Sequence, residues 1–103
     1  MKKNYIILGT DFELDLSNIF DELSSIDFSR GIDEQIMILD EDLLQLSLTS
    51  GYVVDVGWYP AFERDGNFVI NRITNGCWDT PEYQNKAGWN KNDLINKIRE
   101  AIG

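Results

Sequence analysis

The sequence contains no histidine, one cysteine and two prolines, and half as many basic as acidic residues. The missing histidine removes the commonest general base, the commonest zinc ligand and every Ser-His or Cys-His nucleophile pair. Any catalysis would fall to carboxylates alone. The single cysteine, Cys77, excludes an intrachain disulfide and suits a reducing compartment. No basic neighbour in the sequence favours its thiolate, so it reads as a small buried hydrophobe and not as a reactive thiol. Long apolar runs are missing as well. The N-terminus opens with two lysines and an apolar run, but that run ends at Leu8, and Asp11 and Glu13 follow at once. A secretory signal core needs ~7–15 apolar residues, and a membrane-spanning helix about 20. A cytoplasmic protein without a membrane partner is the expectation.

What is present is an acidic, averagely hydrophobic chain. Its 103 residues, 43% hydrophobic and 26% charged, suit one folded domain spanning 1–103. Net charge is −9, unevenly spread: residues 1–42 hold 11 acids against three bases, residues 43–103 seven against six. Such a chain repels phosphate backbones, which argues against nucleic acid as a partner. A basic protein is the natural complement. The routine alternative is that the acidity serves only solubility.

Along the chain, residues 5–8 read as a short buried strand closed by Gly9. Leu16, Ile19, Phe20 and Leu23 fall at i, i+3, i+4 and i+7, which predicts an amphipathic helix capped by Asp15 or Ser17. Residues 36–39 are apolar enough for a buried strand, and Leu44, Leu46 and Leu48 alternate with polar residues in a second one; a helix through Leu39, Leu43 and Leu46 is the competing view. The acidic turn 40–42 separates the two strands. Residues 52–59 alternate Val54, Val56 and Trp58 on one face with Val53, Asp55, Gly57 and Tyr59 on the other. Pro60 stops that strand, a polar loop with Asp65-Gly66 turns the chain, and residues 68–73 return. Trp78 to Tyr83 reads as an extended, packed connection. Leu94, Ile95, Ile98 and Ile102 line a terminal helix, with Asn90 as its cap and Lys97 and Arg99 near its C-terminus. The sum is α+β: a twisted antiparallel meander with two packed helices, one near the N-terminus and one C-terminal.

Residues that could carry chemistry are few. Asp55 and Asp79 form a conceivable carboxylate pair for glycoside hydrolysis, but the chain has little material for a deep cleft; the structural alternative makes Asp55 an exposed strand residue and Asp79 a turn or cap residue. Asp40-Glu41-Asp42 lacks the oxygen spacing and glycine of a calcium loop. Gly51, Gly57, Gly66 and Gly76 make no phosphate cradle and fit turns and a close strand approach. No cofactor, metal site or catalytic residue is therefore assigned. Trp58 alternates with valines and belongs to the core, while Tyr59, Tyr83 and Trp89 are open aromatic candidates for an interface.

The segment Val54-Asp55-Val56-Gly57-Trp58-Tyr59-Pro60, then Asp65-Gly66-Asn67-Phe68 and Trp78-Asp79-Thr80-Pro81, resembles small immunity proteins of bacterial polymorphic toxin systems, including those of contact-dependent growth inhibition. The likeness spans residues 51–102. It departs from the pattern around the second tryptophan, where Asp/Glu-Trp-Glu would stand and this chain has Trp78-Asp79-Thr80. The resemblance implies a non-enzymatic cytoplasmic protein, monomeric or weakly dimeric, that binds and neutralises a cognate toxin domain. Many such toxins are nucleases with basic substrate grooves, which an acidic surface would complement. The partner-binding candidates are Asp11, Glu13, Asp21, Glu22, Asp40, Glu41 and Asp42 from the acidic half, and Asp55, Tyr59, Phe62, Glu63 and Asp65 around the hairpin. An intracellular adaptor for an unrelated protein is the alternative.

Overall fold

In the computed structural model, which describes residues 1–103, the first two strands make a hairpin of their own. Lys3–Ile7 (β1) pairs antiparallel with Thr10–Leu14 (β2), Ile7 opposite Thr10. The two residues between them, Leu8 and Gly9, both have positive φ (52° and 73°), the turn whose twist matches that of the strands it joins. Leucine is held in that conformation by burial and by its amide, which donates to Ser24 Oγ at 3.0 Å.

The remaining strands form a five-stranded antiparallel sheet in chain order: Leu16–Asp21 (β3), Leu44–Leu48 (β4), Tyr52–Tyr59 (β5), Asn67–Thr74 (β6) and Tyr83–Ala87 (β7). Between β3 and β4 lie a 3-10 turn, Leu23–Ser25, and a short helix, Ile32–Gln35 (α1), that continues as a 3-10 turn, Ile36–Ile38. The terminal helix, Lys91–Ile102 (α2), lies across β5, β6 and β7. The architecture is the α+β meander with a short early helix and a C-terminal one. No helix is long and apolar enough to cross a membrane.

Period-two alternation decides which face is core. Leu44, Leu46 and Leu48 of β4, Val54, Val56 and Trp58 of β5, and Phe68 and Ile70 of β6 are buried against Leu94, Ile95, Ile98 and Ala101 of α2. Ile7, Phe12 and Leu14 of the hairpin join the same core. An aromatic group closes one end: Trp58 meets Phe68 edge-on at 4.9 Å between centroids, and Trp89 stacks on Phe68 at 6.1 Å. Trp89 is thus a packing residue. The indole of Trp58 also donates to the Glu63 carbonyl at 2.8 Å, which ties the loop 60–66 to the core.

Two readings of the N-terminal half are corrected. The segment Leu16 to Leu23 is a strand and a 3-10 turn, not a helix. A shift of register between Leu16 and Asn18 inserts one extra residue, so Leu16 and Ile19 lie three apart yet both meet the inner face, opposite Leu48 and Leu46. The bulge imitates helical spacing. Asp15 is no cap either: its carboxylate binds the N-terminal amine at 2.9 Å, and Ser17 Oγ donates to the Ser47 carbonyl at 3.2 Å. The predicted strand at residues 36–39 is the 3-10 turn that follows α1 together with its terminal residue Leu39; only Leu39 of the four is buried, while Met37 is 76% exposed. Gln35 fixes this turn by exchanging hydrogen bonds with the Asp27 backbone at 2.6 and 2.7 Å. Later in the chain, Cys77 and Trp78 are exposed in a turn and not packed, and Tyr83 opens β7.

The C-terminal helix is fastened at both ends. Asn90 Oδ1 accepts the Asp93 amide at 3.0 Å. At the other end, the carbonyls of Ala101 and Ile102 accept from Arg72 Nη1 at 3.3 and 3.1 Å, and Ile102 also accepts from the Tyr52 hydroxyl at 2.7 Å. The guanidinium lies 3.8 Å over the Tyr52 ring, so a cation stands at the helix terminus that favours one. Arg72→Met removes these hydrogen bonds while keeping an unbranched chain. It is expected to destabilise the protein by roughly 1–3 kcal/mol, read as a lower urea midpoint; an unchanged midpoint would show that the clamp contributes nothing.

Candidate partner-binding face

The face of the sheet opposite α2 carries one transverse row of residues, each the register partner of the next: Phe20 on β3, Gln45 on β4, Asp55 on β5, Asn71 on β6 and Gln84 on β7. Gln84 Nε2 donates to Asn71 Oδ1 at 2.9 Å, which leaves the Asn71 amino group facing Asp55. Asp55 was expected on this face but as an exposed residue. Instead it is only 7% exposed, the one acidic or basic residue among the buried ones.

Asp42, from the bulged segment that continues β4 along β5 just beyond it, joins Gln45, Asn71 and Phe20 around it. Leu43 N donates to Val56 O at 3.0 Å and Trp58 N to Asp40 O at 2.8 Å, so Glu41 and Asp42 together stand opposite the single residue Gly57, in the manner of a β-bulge. Phe62 N then donates to Leu39 O at 2.8 Å, binding the hairpin loop to the same segment. The bulge is possible only because residue 57 has no Cβ: one built there would overlap the Glu41 carbonyl and crowd the Tyr59 ring.

This bulge gathers most of the hairpin and acidic-turn candidates. Asp40, Glu41 and Asp42 are exposed beside Asp55 and Tyr59, and none of the four acids forms an ion pair with a lysine or arginine. Burial, reinforced by the charge of Asp42 and only partly offset by the Asn71 hydrogen bond, pushes Asp55 up to about 6. Burial and the charges of Asp55, Glu41, Asp42 and Asp40 likewise raise the Tyr59 hydroxyl. The shift at Asp55 makes it a candidate functional group on general grounds.

Two shallow depressions open here and share Phe20 and Asp42. One, about 390 Å³, is lined by Phe20, Asp42, Leu44, Gln45 and Asp55. The other, about 450 Å³, runs between Phe20, Met37, Ile38 and Phe62, with Glu22 and Asp40 at its rim. Phe20, Ile38 and Phe62 are 42%, 42% and 47% exposed, so an apolar floor with an acidic border faces solvent. Phe62 moreover sits at φ 61°, a left-handed conformation disfavoured for a bulky residue, held by the hydrogen bond its amide donates to the Leu39 carbonyl.

The other candidates fall elsewhere or have structural partners. Asp11 and Glu13 lie on the exposed side of β2, and Glu13 lines separate depressions, one with Arg99 and Phe12 and another with Lys2. Asp21 accepts from the Ser24 amide and hydroxyl at 2.9 and 2.6 Å, capping the 3-10 turn. Glu63 and Asp65 are exposed in the loop 60–66, which Arg64 joins to Asp33 of α1 at 3.1 Å. No three His, Cys, Asp or Glu side chains are grouped as metal ligands. Sequence reasoning missed Phe20, assigned to a helix core, and Met37 and Ile38, assigned to a buried strand. The signal for the last two was their place directly before three acids, an unusual position for a strand buried on both faces.

Two stability measurements check this geometry. Because the folded protein holds Asp55 near 6, above the ordinary 3.8, its contribution is fully present below about pH 4 and is lost as pH rises through 6, by up to roughly 3 kcal/mol. Asp55→Asn should therefore be more stable than the parent at pH 7.5, and denaturant titrations from pH 4 to 7.5 should show a smaller decline. Equal slopes would mean the carboxylate is not desolvated. Gly57→Ala should cost about 3 kcal/mol or more by forcing the bulged segment off the sheet, whereas Gly31→Ala, with open space around it and an ordinary φ, should be near neutral.

No protein-family model, curated protein or solved structure matches this chain.

Proposed function

We propose that the protein is an immunity-type inhibitor that binds a basic, nuclease-type toxin domain in the cytoplasm and neutralises it by covering its active site or blocking substrate access, without chemistry of its own. The observation that carries this reading is the acid-bordered apolar face: Phe20, Met37, Ile38 and Phe62 supply its apolar surface, and Glu22, Asp40 and Asp42 form the border with no cation paired to them. Apolar centre and charged rim are the usual division of labour in a specific interface. Unpaired acids at the rim speed encounter with a basic partner and reject acidic ones. The likeness of residues 51–102 to immunity proteins points the same way, and the hairpin within it supplies Tyr59 and Phe62 to this face. Asp11 and Glu13 on β2 act at most through the long-range field.

The test is to identify any toxin domain encoded in the neighbouring genes and to measure its binding to this protein by calorimetry and stopped-flow. Reversing Asp40, Glu41 and Asp42 to lysine should slow association at least tenfold and flatten its dependence on salt, and Phe62→Ala should mainly speed dissociation. Absence of a complex with the wild-type protein, or full affinity and salt dependence after the triple reversal, would overturn the reading. A complex with a protein unrelated to toxins, encoded in a metabolic operon, would favour the adaptor alternative.

A further inference from the structure

Asp55 is an anomaly for a protein of this size. It is a nearly buried carboxylate with no cation opposite it, and its place in the sheet is not forced by packing, since its neighbours Gln45 and Asn71 are polar too. The groups that face it are Gln45 from β4, Asn71 from β6, Asp42 from the bulged segment, Phe20 beyond Gln45 on β3, and Tyr59 along its own strand. None is basic. Asn71 offers one amino group, its oxygen being occupied by Gln84, against the several acceptor sites of a carboxylate. A buried charge is retained without a partner at a cost in stability. The protein as it stands alone is therefore incomplete at this position.

We infer that the depression at Asp55 is a socket for a single arginine side chain of the partner protein, the guanidinium bonding to Asp55 and Asp42 and lying against the Phe20 ring. The inference rests on the reading of this face as the toxin-binding surface and names the chemistry it selects. Three features favour guanidinium over ammonium. It is the more weakly hydrated cation, so it enters a desolvated site at lower cost. Its planar fork of donors can engage two carboxylates and the Gln45 carbonyl oxygen together. The half-exposed Phe20 ring beside the opening gives it a face to stack on. The depression is shallow and open, about 390 Å³, which is ample room for one such side chain, and Phe20, Asp42, Gln45 and Asp55 all line it. The acids at 40–42 then attract the partner, and Asp55 decides whether it fits.

The socket is tested first without any toxin. N-acetyl-arginine amide is titrated into the wild-type protein and Asp55→Asn while side-chain carboxyl, Phe20 ring and Gln45 amide resonances are followed by NMR. The expected result is a saturable millimolar shift of Asp55, Phe20 and Gln45 together, with the Asp55 titration moving to lower pH, and no such response in the variant. No response at Asp55, or the same response to sodium chloride at equal ionic strength, would overturn the inference. The second arm uses the toxin domain. Asp55→Asn should weaken the complex at least 30-fold, against less than threefold for Asp40→Asn, and lowering the pH from 7.5 to 5.0 should weaken wild-type binding about tenfold while leaving the variant unchanged. A complex that forms and is indifferent to Asp55→Asn overturns the socket and leaves the proposed function standing. A socket that fills with arginine amide while no toxin complex forms overturns the proposed function alone.

Discussion

The arrangement of the candidate face depends on one steric permission, the missing side chain at residue 57. Because Gly57 lets the carbonyl of Glu41 rest directly on β5, the segment 39–43 bulges over the strand's face as it continues the β4 pairing along β5, and it is held there by three backbone hydrogen bonds, to Val56, Trp58 and Phe62. Everything distinctive about the face follows from this bulge. It sets Asp42 by Asp55 and three acids beside Tyr59, and it brings Met37, Ile38 and Phe62 from distant parts of the chain to a common floor. A methyl group at one position would separate all of these.

The opposite side of the sheet is governed by different forces. There the driving term is burial of apolar area, with Trp58, Phe68, Leu94 and Ile98 almost completely removed from water. The polar contacts on that side serve position more than energy: Arg72 and Tyr52 hold the end of α2, and Lys97 bridges Asp93 and the Lys86 carbonyl at 2.9 and 2.6 Å. Arg99 lies 4.5 Å over the Phe12 ring, which joins the N-terminal hairpin to the C-terminal helix. The core thus closes only when the two ends of the chain meet, and the sheet between them provides both surfaces.

How much of this was legible depends on whether the signal was local. Strands β4, β5 and β6 and helix α2 declare themselves, because alternation and 3.6-residue spacing are properties of contiguous residues, and Asn90 is a cap in sequence and in structure alike. Strand β3 was misread for a definite reason: its bulge at Ser17 changes the spacing of inner-face residues from two to three, and three is a helical interval. Residues 36–39 were misread because hydrophobicity was taken as burial, when Met37 and Ile38 lie open beside the acids. The acidic character of the site was visible in the charge count, and Gly57 was marked as a place of close approach. What approaches it could not be read, since Glu41 and Gly57 are brought together by pairing across a turn and not by any pattern either segment carries alone. The surroundings of Asp55 depend on that pairing and were hidden with it.

The alternation of β4, β5 and β6 separates two kinds of position in one stretch of chain. Even-numbered positions such as Leu46, Val54 and Ile70 are committed to the core, while their odd-numbered neighbours Gln45, Asp55 and Asn71 point to the other surface and touch none of it. Outward residues can therefore change at such positions while the scaffold beneath keeps its sequence. Ile73 and Gly57 are exceptions: both belong to the outward set by parity, yet Ile73 is buried and any side chain at 57 would meet the Glu41 carbonyl, so a lineage that changed Gly57 would lose the shape of this surface.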